Sequence, residues 1–343
     1  MTYPRLYGII IKVMDYMRDR RLICLHCFGA IDPFTGFCNA CGKHMGDNVQ
    51  TTPDSMRPRT ILGGRYLIGS TLGRGGFGIT YKAYDTVLRR RVAIKEFFPR
   101  GYTRRIPGTL AVGVSDQKTA KIFNYWLQAF IQEAKVLSSI KSMEGIVSIY
   151  DFFLANNTAY IIMEFLDGVS LHRFILGRGD RLQLNETLNI MRPVLDTLLL
   201  LHQHGIIHKD VSPENIQIVN NKTVKLIDLG AASLYKQNVS KPFFVLKKGY
   251  SPIELYHNGS QGPWTDIYEV GATIYTCLVG TPPPEASARA QKDTLVPPSA
   301  LNIKIQPVRE NVLLKALAVN PQDRYSDVDL FRKMLYGDFL PGT

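Results

Sequence analysis

Two aspartates and an asparagine define the chemistry this sequence could perform. Asp210 and Asn215 stand five positions apart in "HKDVSPENI", and Asp228 opens "DLG" after a short hairpin pattern. Asn215 and Asp228 offer the hard oxygen ligands that Mg²⁺ prefers, and Asp210 is left to accept a proton from a hydroxyl. Upstream, "LGRGGFGITY" supplies Gly73, Gly75 and Gly78, whose missing side chains let backbone N–H groups approach phosphates. Lys95 ends the strand-like "VAIK", and Glu133 follows in the helical "IQEAKV". A lysine that must hold phosphates needs a carboxylate to fix its flexible stem, and Glu133 is the natural one. Each pattern alone is common; together and in this order they describe metal-assisted transfer of a phosphoryl group.

A second constellation precedes the first. Four of the five cysteines form "CLHC" (Cys24, Cys27) and "CNAC" (Cys38, Cys41), with ten residues between the pairs. Two such knuckles can set four thiolates tetrahedrally around one zinc, and Gly29 and Gly42 suit the tight turns required. Four thiolates leave no ligand position open, so the zinc would be structural, and its binding would supply the folding free energy of a module too small for its own core. Rubredoxin-like iron and disulfides are the competing readings, and disulfides fit poorly without a secretion signal. His26 and His44 are near enough to replace a ligand, while Cys277 sits in an apolar helical pattern and reads as core.

The elements that must carry these residues are legible in the periodicity. Residues 23–45 form the cysteine module, 1–22 an N-terminal extension, and 46–60 a polar, proline-containing linker. From residue 61 short β-rich runs follow: "YLIGSTLGRG", "FGITYKAYD" and "RRVAIKEFF". Apolar residues then recur at three and four through 120–140, which predicts a helix. Strands are expected at 146–155 and 159–165, and long helices at 185–204 and 264–279. This order predicts an α+β chain with a small sheet-based lobe at 61–165, a larger helical lobe at 166–340 and a cleft between them.

In the order and spacing of these motifs the sequence resembles the eukaryotic-like protein kinases, and "GGFGITY", "KEFFP" and "GYSPIELY" are similar to bacterial serine/threonine kinases. The resemblance implies the bilobal protein kinase fold, preceded here by a zinc ribbon, with ATP and Mg²⁺ (or Mn²⁺) as cofactors and a protein substrate. It implies that Lys95, braced by Glu133, holds the α- and β-phosphates, that Asp210 is the base, and that Asn215 and Asp228 bind the metal. Gly73, Gly75, Gly78, Thr80, Ala93, Glu164, Leu166 and Gln217 would surround the nucleotide, with Met163 as gatekeeper. A small-molecule kinase shares an Asp-to-Asn loop. Against it stand "SPIE", Asp266 in "WTDIYEVG" as the anchor of the catalytic loop, and Arg324 in "NPQDRYS", the arginine expected to pair with Glu254. The rival of another class is a pseudokinase scaffold, although such chains usually lose the equivalents of Lys95, Asp210 or Asp228.

The chain departs from the family pattern at Ser212, where a lysine that would neutralise the transferring phosphoryl group is usual. Seven residues before Glu254, where a threonine is usual, it carries Lys247. Two readings stand: a reciprocal swap in which Lys247 faces Ser212, or a lysine that points to solvent beside Lys248. Lys209 replaces the usual arginine, and an ammonium cannot grip a phosphorylated loop with arginine's planar fork, so control through Ser233, Tyr235 or Ser240 is in doubt. Leu229 of "DLG" is expected to stack with His208 and Leu137.

Composition bounds the rest. The 343 residues, 45% hydrophobic, suit a packed core. A net charge of +12 favours acidic partners, yet the densest clusters, "RDRR" and "RRR", are short and lack interleaved aromatics, which argues against nucleic acid. The early run "GIIIKVM" is broken by Lys12 and too short to span a bilayer, so neither signal peptide nor membrane helix is expected, and the location would be cytoplasmic. A protein partner for the ribbon is an open expectation, and the oligomeric state is not legible.

Overall fold

The computed structural model describes residues 22–139, 143–220, 223–228, 233–234, 246–257 and 259–337. The side chains of Glu133, Leu137 and Ser233, and the whole of residues 1–21, Leu229, Gly230, Tyr235 and Ser240, lie outside the described part. Two compact units divide the chain: residues 1–127 with Tyr150–Phe165, and Gln128–Ile149 with Leu166–Thr343.

The first unit is built on an antiparallel sheet. Strands β1 (Ile61–Leu62), β2 (Tyr66–Arg74), β3 (Gly78–Asp85) and β4 (Arg90–Phe97) pair in sequence. A short hairpin, β5 (Thr103–Arg105) and β6 (Val112–Val114), precedes helix α1 (Gln117–Ser139), after which β7 (Ile149–Ala155) and β8 (Thr158–Glu164) complete the order β1-β2-β3-β4-β8-β7. Alternation puts Ile68, Ile79, Tyr81, Ala83, Val92 and Ile94 in the core. The polar residue Glu96 is also fully buried there, and four groups meet it: Arg105 Nη1 at 2.7 Å from Oε1, Arg105 Nη2 at 2.7 Å and Tyr81 Oη at 2.7 Å from Oε2, and Tyr160 Oη at 3.0 Å from Oε1.

The segment 46–60 is docked on this sheet rather than looped away from it. Met56 is 2% exposed, and its N–H donates to Tyr81 Oη at 3.1 Å. Thr71 N donates to Gln50 O at 2.7 Å, Arg105 to Asp54 O at 2.9 and 3.1 Å, and Arg74 to Pro53 O and the Asp54 carboxylate. The polar composition that reads as a tether instead supplies carbonyls to arginines of the sheet.

The second unit starts with β9 (Gly168–Ser170), α2 (Leu171–Leu176) and α3 (Leu184–Gln203). The short strands β10 (Ile206–Ile207), β11 (Ile216–Val219), β12 (Thr223–Leu226) and β13 (Ser233–Leu234) follow, with β12-β11-β9 forming one sheet and β10-β13 another. Helices α4 (Ile253–Tyr256), α5 (Pro263–Val279), α6 (Ala286–Arg289), α7 (Pro307–Ala316) and α8 (Val328–Tyr336) complete it. Pro263 opens α5 at a position where a missing N–H costs nothing, and Gly280 closes it with φ of 90°, a conformation that glycine alone adopts freely. Every residue from Thr265 to Leu278 is buried. A helix apolar on all sides belongs at the centre of a bundle, and α5 packs against α3, α7 and α8. Its buried polar residues therefore need partners, and three of them, Asp266, Glu269 and Thr273, share one. That partner is the loop 208–211. Among the described residues no helix is long and apolar enough to cross a membrane.

Candidate active site and metal centre

The loop after β10 is held by the central helix. Asp266, fully buried, accepts from His208 N at 2.9 Å through Oδ2 and from Lys209 N at 2.8 Å through Oδ1. His202 Nε2 meets the same Oδ2 at 2.7 Å. Glu269 Oε2 accepts from Val211 N at 2.7 Å, and Thr273 Oγ1 donates to Val211 O at 3.3 Å. These contacts hold Lys209 at φ of 63°, a left-handed conformation that costs a non-glycine residue energy and persists only where neighbours over-determine it. Burial pushes the Lys209 ammonium down to about 8, so a weakened, enclosed cation stands where an arginine fork is usual. His208, buried, is pushed by that burial down to about 4 and stays neutral, its Nδ1 accepting from Asp210 N at 3.2 Å.

Asp210 projects from this clamp. Asn215 Nδ2 donates to Asp210 Oδ2 at 2.7 Å and to Asp210 O at 2.9 Å. Lys247 Nζ lies 2.8 Å from Asp210 Oδ1, 2.8 Å from Ser212 Oγ and 3.4 Å from Glu214 Oε2. Of the two readings of Lys247, the geometry is that of a lysine facing Ser212. Burial raises the Asp210 carboxyl to about 6; Lys247 and Asn215 oppose the rise and Asp228 adds to it. A base near neutrality is what proton abstraction at physiological pH needs. The β11–β12 hairpin, in register from Ile216 against Leu226, brings Asp228 back beside Asn215, and Ile227 N donates to Asn215 O at 2.8 Å. Asp228 has φ of 61° and is half-buried. With the Asn215 amide hydrogens engaged by Asp210, its oxygen is the atom left for a hard cation, and with the Asp228 carboxylate it fits Mg²⁺. Gln217 lies on β11 between Ser170 and Lys225, and Leu166 begins the second segment of this unit.

The pairing expected of Glu254 in "SPIE" with Arg324 is also present. Arg324 grips the buried Glu254 through two parallel bonds of 2.8 and 3.1 Å, and Thr265 Oγ1 donates to Glu254 Oε1 at 2.9 Å.

In the first unit Gly73 pairs with Thr80, Thr80 with Lys95, and Lys95 with Ile161, so Thr80 and Lys95 occupy the middle of the sheet. Ala93 pairs with Met163, and Glu164 with Val92. A Cβ on Gly73 or Gly75 would meet nothing within 4 Å, whereas one on Gly78 would come within 2.5 Å of Glu96 O. No protein neighbour therefore requires glycine at 73 or 75, and Gly75 N donates to Gly78 O at 2.9 Å, while Gly78 answers to close strand packing. Glu133 lies on α1, and its side chain is outside the described part.

The four cysteines converge, with their sulfurs all within 4.8 Å of one another. Cys27 Sγ and Cys38 Sγ are 3.4 Å apart, and Cys24 Sγ and Cys41 Sγ 3.7 Å. A tetrahedron with Zn–S bonds of about 2.3 Å has edges of about 3.8 Å, so the quartet fits zinc. Gly29 N and Ala40 N donate to Cys27 Sγ and Cys38 Sγ at 3.3 and 3.4 Å. The turn residues differ in part from expectation. Gly42 does carry φ of 68°, but in the first knuckle Phe28 takes the left-handed conformation, at 63°. Gly29 is required for another reason, since a Cβ there would meet Ala40 Cβ at 2.8 Å. His26 and His44 do not join the quartet, and Cys277 is buried in α5.

Sequence reasoning missed His202, Glu269 and Glu96. The first two had a usable signal, a polar residue interrupting an otherwise apolar helix. Glu96 had a weaker one, since alternation alone makes Glu96 the inward neighbour of Lys95.

Comparison with known proteins agrees with this geometry. The family model described as "Protein kinase domain" matches residues 66–335. The chain is 32% identical over 278 residues to the serine/threonine-protein kinase PknB of Mycolicibacterium smegmatis, covering 77% of this chain and 41% of that protein. It is 30% identical over 279 residues to the serine/threonine-protein kinase PrkC of Bacillus subtilis, covering 78% and 39%. The solved structure "PpkA-294 apo form" superposes with a TM-score of 0.71 at 33% identity, covering 82% of this chain and 99% of that one. The chain spans between 39% and 45% of the length of the first curated relatives it matches. A match over most of its length, on a β-rich lobe and a helical lobe that carry the motifs in order, makes the chain a member of the protein kinase domain family.

Proposed function

We propose that the chain is a serine/threonine protein kinase that transfers the terminal phosphoryl group of ATP to protein hydroxyls. The observation that carries this is Asp210, half-enclosed, tied to Asn215 at 2.7 Å and raised to about 6, so that it can take a hydroxyl proton near neutral pH. Lys95, braced by Glu133, holds the α- and β-phosphates, and the glycine-rich turn of Gly73, Gly75 and Gly78 covers them. Thr80, Ala93, Glu164, Leu166 and Gln217 line the nucleotide, with Met163 as gatekeeper. Asn215 and Asp228 hold Mg²⁺, which when bound neutralises phosphate charge. The names of these relatives, both serine/threonine-protein kinases, support protein hydroxyls rather than small-molecule acceptors.

The cysteine quartet holds a structural zinc, and the ribbon offers a surface to a protein partner. The absence of any membrane-crossing helix among the described residues is compatible with a cytoplasmic setting.

The test is incubation of the full chain with labelled ATP and Mg²⁺ plus a generic basic protein. Label is expected on serine or threonine with the wild type and absent with Asp228→Ala. No label with a wild type that binds ATP would favour a scaffold instead.

A further inference from the structure

The catalytic loop lacks the cation that phosphoryl transfer requires, and a separate turn brings one to it. Between Asp210 and Asn215 the loop carries Val211, Ser212, Pro213 and Glu214, none of them positive. Lys247 fills this gap from thirty-five residues downstream, bridging Asp210 Oδ1 and Ser212 Oγ at 2.8 Å each.

The turn that carries it is fixed from several sides. Lys247 N donates to Ser251 Oγ at 2.9 Å, and Lys247 O accepts from Tyr250 N at 3.0 Å and Ser251 N at 2.9 Å. Thr276 Oγ1 on α5 meets Tyr250 Oη at 3.1 Å. Gly249 has φ of 80°, and a Cβ there would lie 2.5 Å from Pro283 O and 2.8 Å from Pro282 Cβ. No other residue type could hold this backbone so close to that proline pair without displacing it. The ammonium is thus seated by a built turn, in contrast to Lys248, whose side chain is 87% exposed.

We propose that Lys247 is a catalytic residue, supplying from the 247–251 turn the charge that the catalytic loop lacks, with Ser212 as the hydroxyl that positions it. The inference rests on the kinase function proposed above. In the step it serves, the bond between the γ-phosphorus and its bridging oxygen breaks, the electron pair leaving with ADP. The substrate hydroxyl oxygen bonds to phosphorus, and its proton passes to the Asp210 carboxylate. Lys247, already beside Asp210, is within reach of the transferring group's oxygens and offsets their charge. Transfer then depends on the turn being folded, because the stretch from Val211 to Glu214 has no cation of its own and Lys209 is buried beneath it.

Exchange of the two residues tests this. Single-turnover transfer to a generic basic protein is measured for the full chain, for Lys247→Ser, and for the double variant Ser212→Lys with Lys247→Ser. The single variant should lose on the order of 100-fold in rate with ATP affinity unchanged. The double variant should recover at least about a tenth of the wild-type rate, its ammonium returned from the opposite side. A single variant within a few-fold of wild type would overturn the proposal, as would a double variant that stays as slow as the single one. Lys247→Met, which keeps the stem's packing, guards against misfolding; if it also melts early, recovery in the double variant decides alone. A wild type that binds ATP but transfers nothing would instead sink the kinase function itself.

Discussion

The ring of Phe28, in the cysteine module, stacks on Tyr84 of the kinase sheet with centroids 5.5 Å apart and planes 25° from parallel. Around this pair Lys82 Nζ donates to His26 O at 2.6 Å, and Gly69 lets Leu25 O and the Phe28 ring approach to where a Cβ would lie at 2.9 and 2.8 Å from them. The module is therefore seated on β2 and β3. Gly69→Val is expected to unseat it with all four thiolates intact. Limited proteolysis should then cut within 46–60, and zinc content measured by atomic absorption should stay at one ion per chain.

Metal removal follows the same logic. The module has a core of Cys24, Ile31 and Cys38 with Leu22 and Cys27 packed against it, so the zinc proposed above would supply most of its folding free energy. Chelation is expected to lower the melting temperature of the whole chain, since the unseated module uncovers Tyr84 and Lys82. Calorimetry with and without a chelator reads this, and an unchanged transition would refute it.

The buried ion pair of Glu96 and Arg105 predicts an asymmetric mutational response. Glu96 is fully buried and Arg105 12% exposed, so removal of one partner leaves an uncompensated charge. Arg105→Leu should cost about 3–5 kcal/mol, whereas adding Glu96→Gln should return part of that loss, because the stranded carboxylate is gone. A double-mutant cycle by urea denaturation measures the coupling.

Arg324 has a comparable role in the helical unit, where it pairs with Glu254 and donates to Ala318 O and Val319 O at 2.8 Å each. Arg324→Lys is expected to destabilise nearly as much as Arg324→Ala, by about 3 kcal/mol or more, because an ammonium cannot reproduce the planar fork. Denaturation midpoints of the two variants make the comparison.

Activity should depend on pH through Asp210. The base must be ionised, and with its carboxyl at about 6 the transfer rate should fall on the acid side with a midpoint near that value. Lys247 holds this value down, so Lys247→Met should move the acid limb to higher pH, a shift that a purely structural lysine would not cause. The stability sign is opposite to the usual carboxylate case. Since the folded pKa lies above the ordinary 3.8, the folded chain binds more protons, and the contribution of Asp210 is lost as pH rises from about 4 through about 6. Rate profiles from pH 5 to 9 for both proteins check the shift.

Much of the second unit was legible because its chemistry and its periodicity coincide. Asp266, Glu254 and Arg324 were legible through the resemblance to protein kinases, whose motif positions they match, and their burial shows why each must be paired. The Ser212 and Lys247 positions were legible as an anomaly, a missing charge and a surplus one. Sequence could not decide between them, because the direction of a lysine depends on the turn beneath it, here set by Gly249 against Pro282 and Pro283. The segment 46–60 was misread for a related reason. Its bonds to the sheet run through Gln50, Pro53 and Asp54 carbonyls, which every residue possesses and no composition reveals. The role of Phe28 was equally hidden, since its left-handed backbone belongs to the turn in which Phe28 N donates to Cys24 O.

The docking of 46–60 bears on where this catalytic domain can be cut. A truncated chain begun at residue 61, where the β-rich pattern starts, would strip Tyr81 of its backbone donor. It would also deprive Arg105 and Arg74 of three carbonyl and carboxylate acceptors and open the pocket that Met56 fills. The boundary drawn by sequence pattern and the boundary drawn by folding are therefore different places. The knuckles, the strap behind them and the sheet share one set of contacts, so a cut between any two of them removes partners from both.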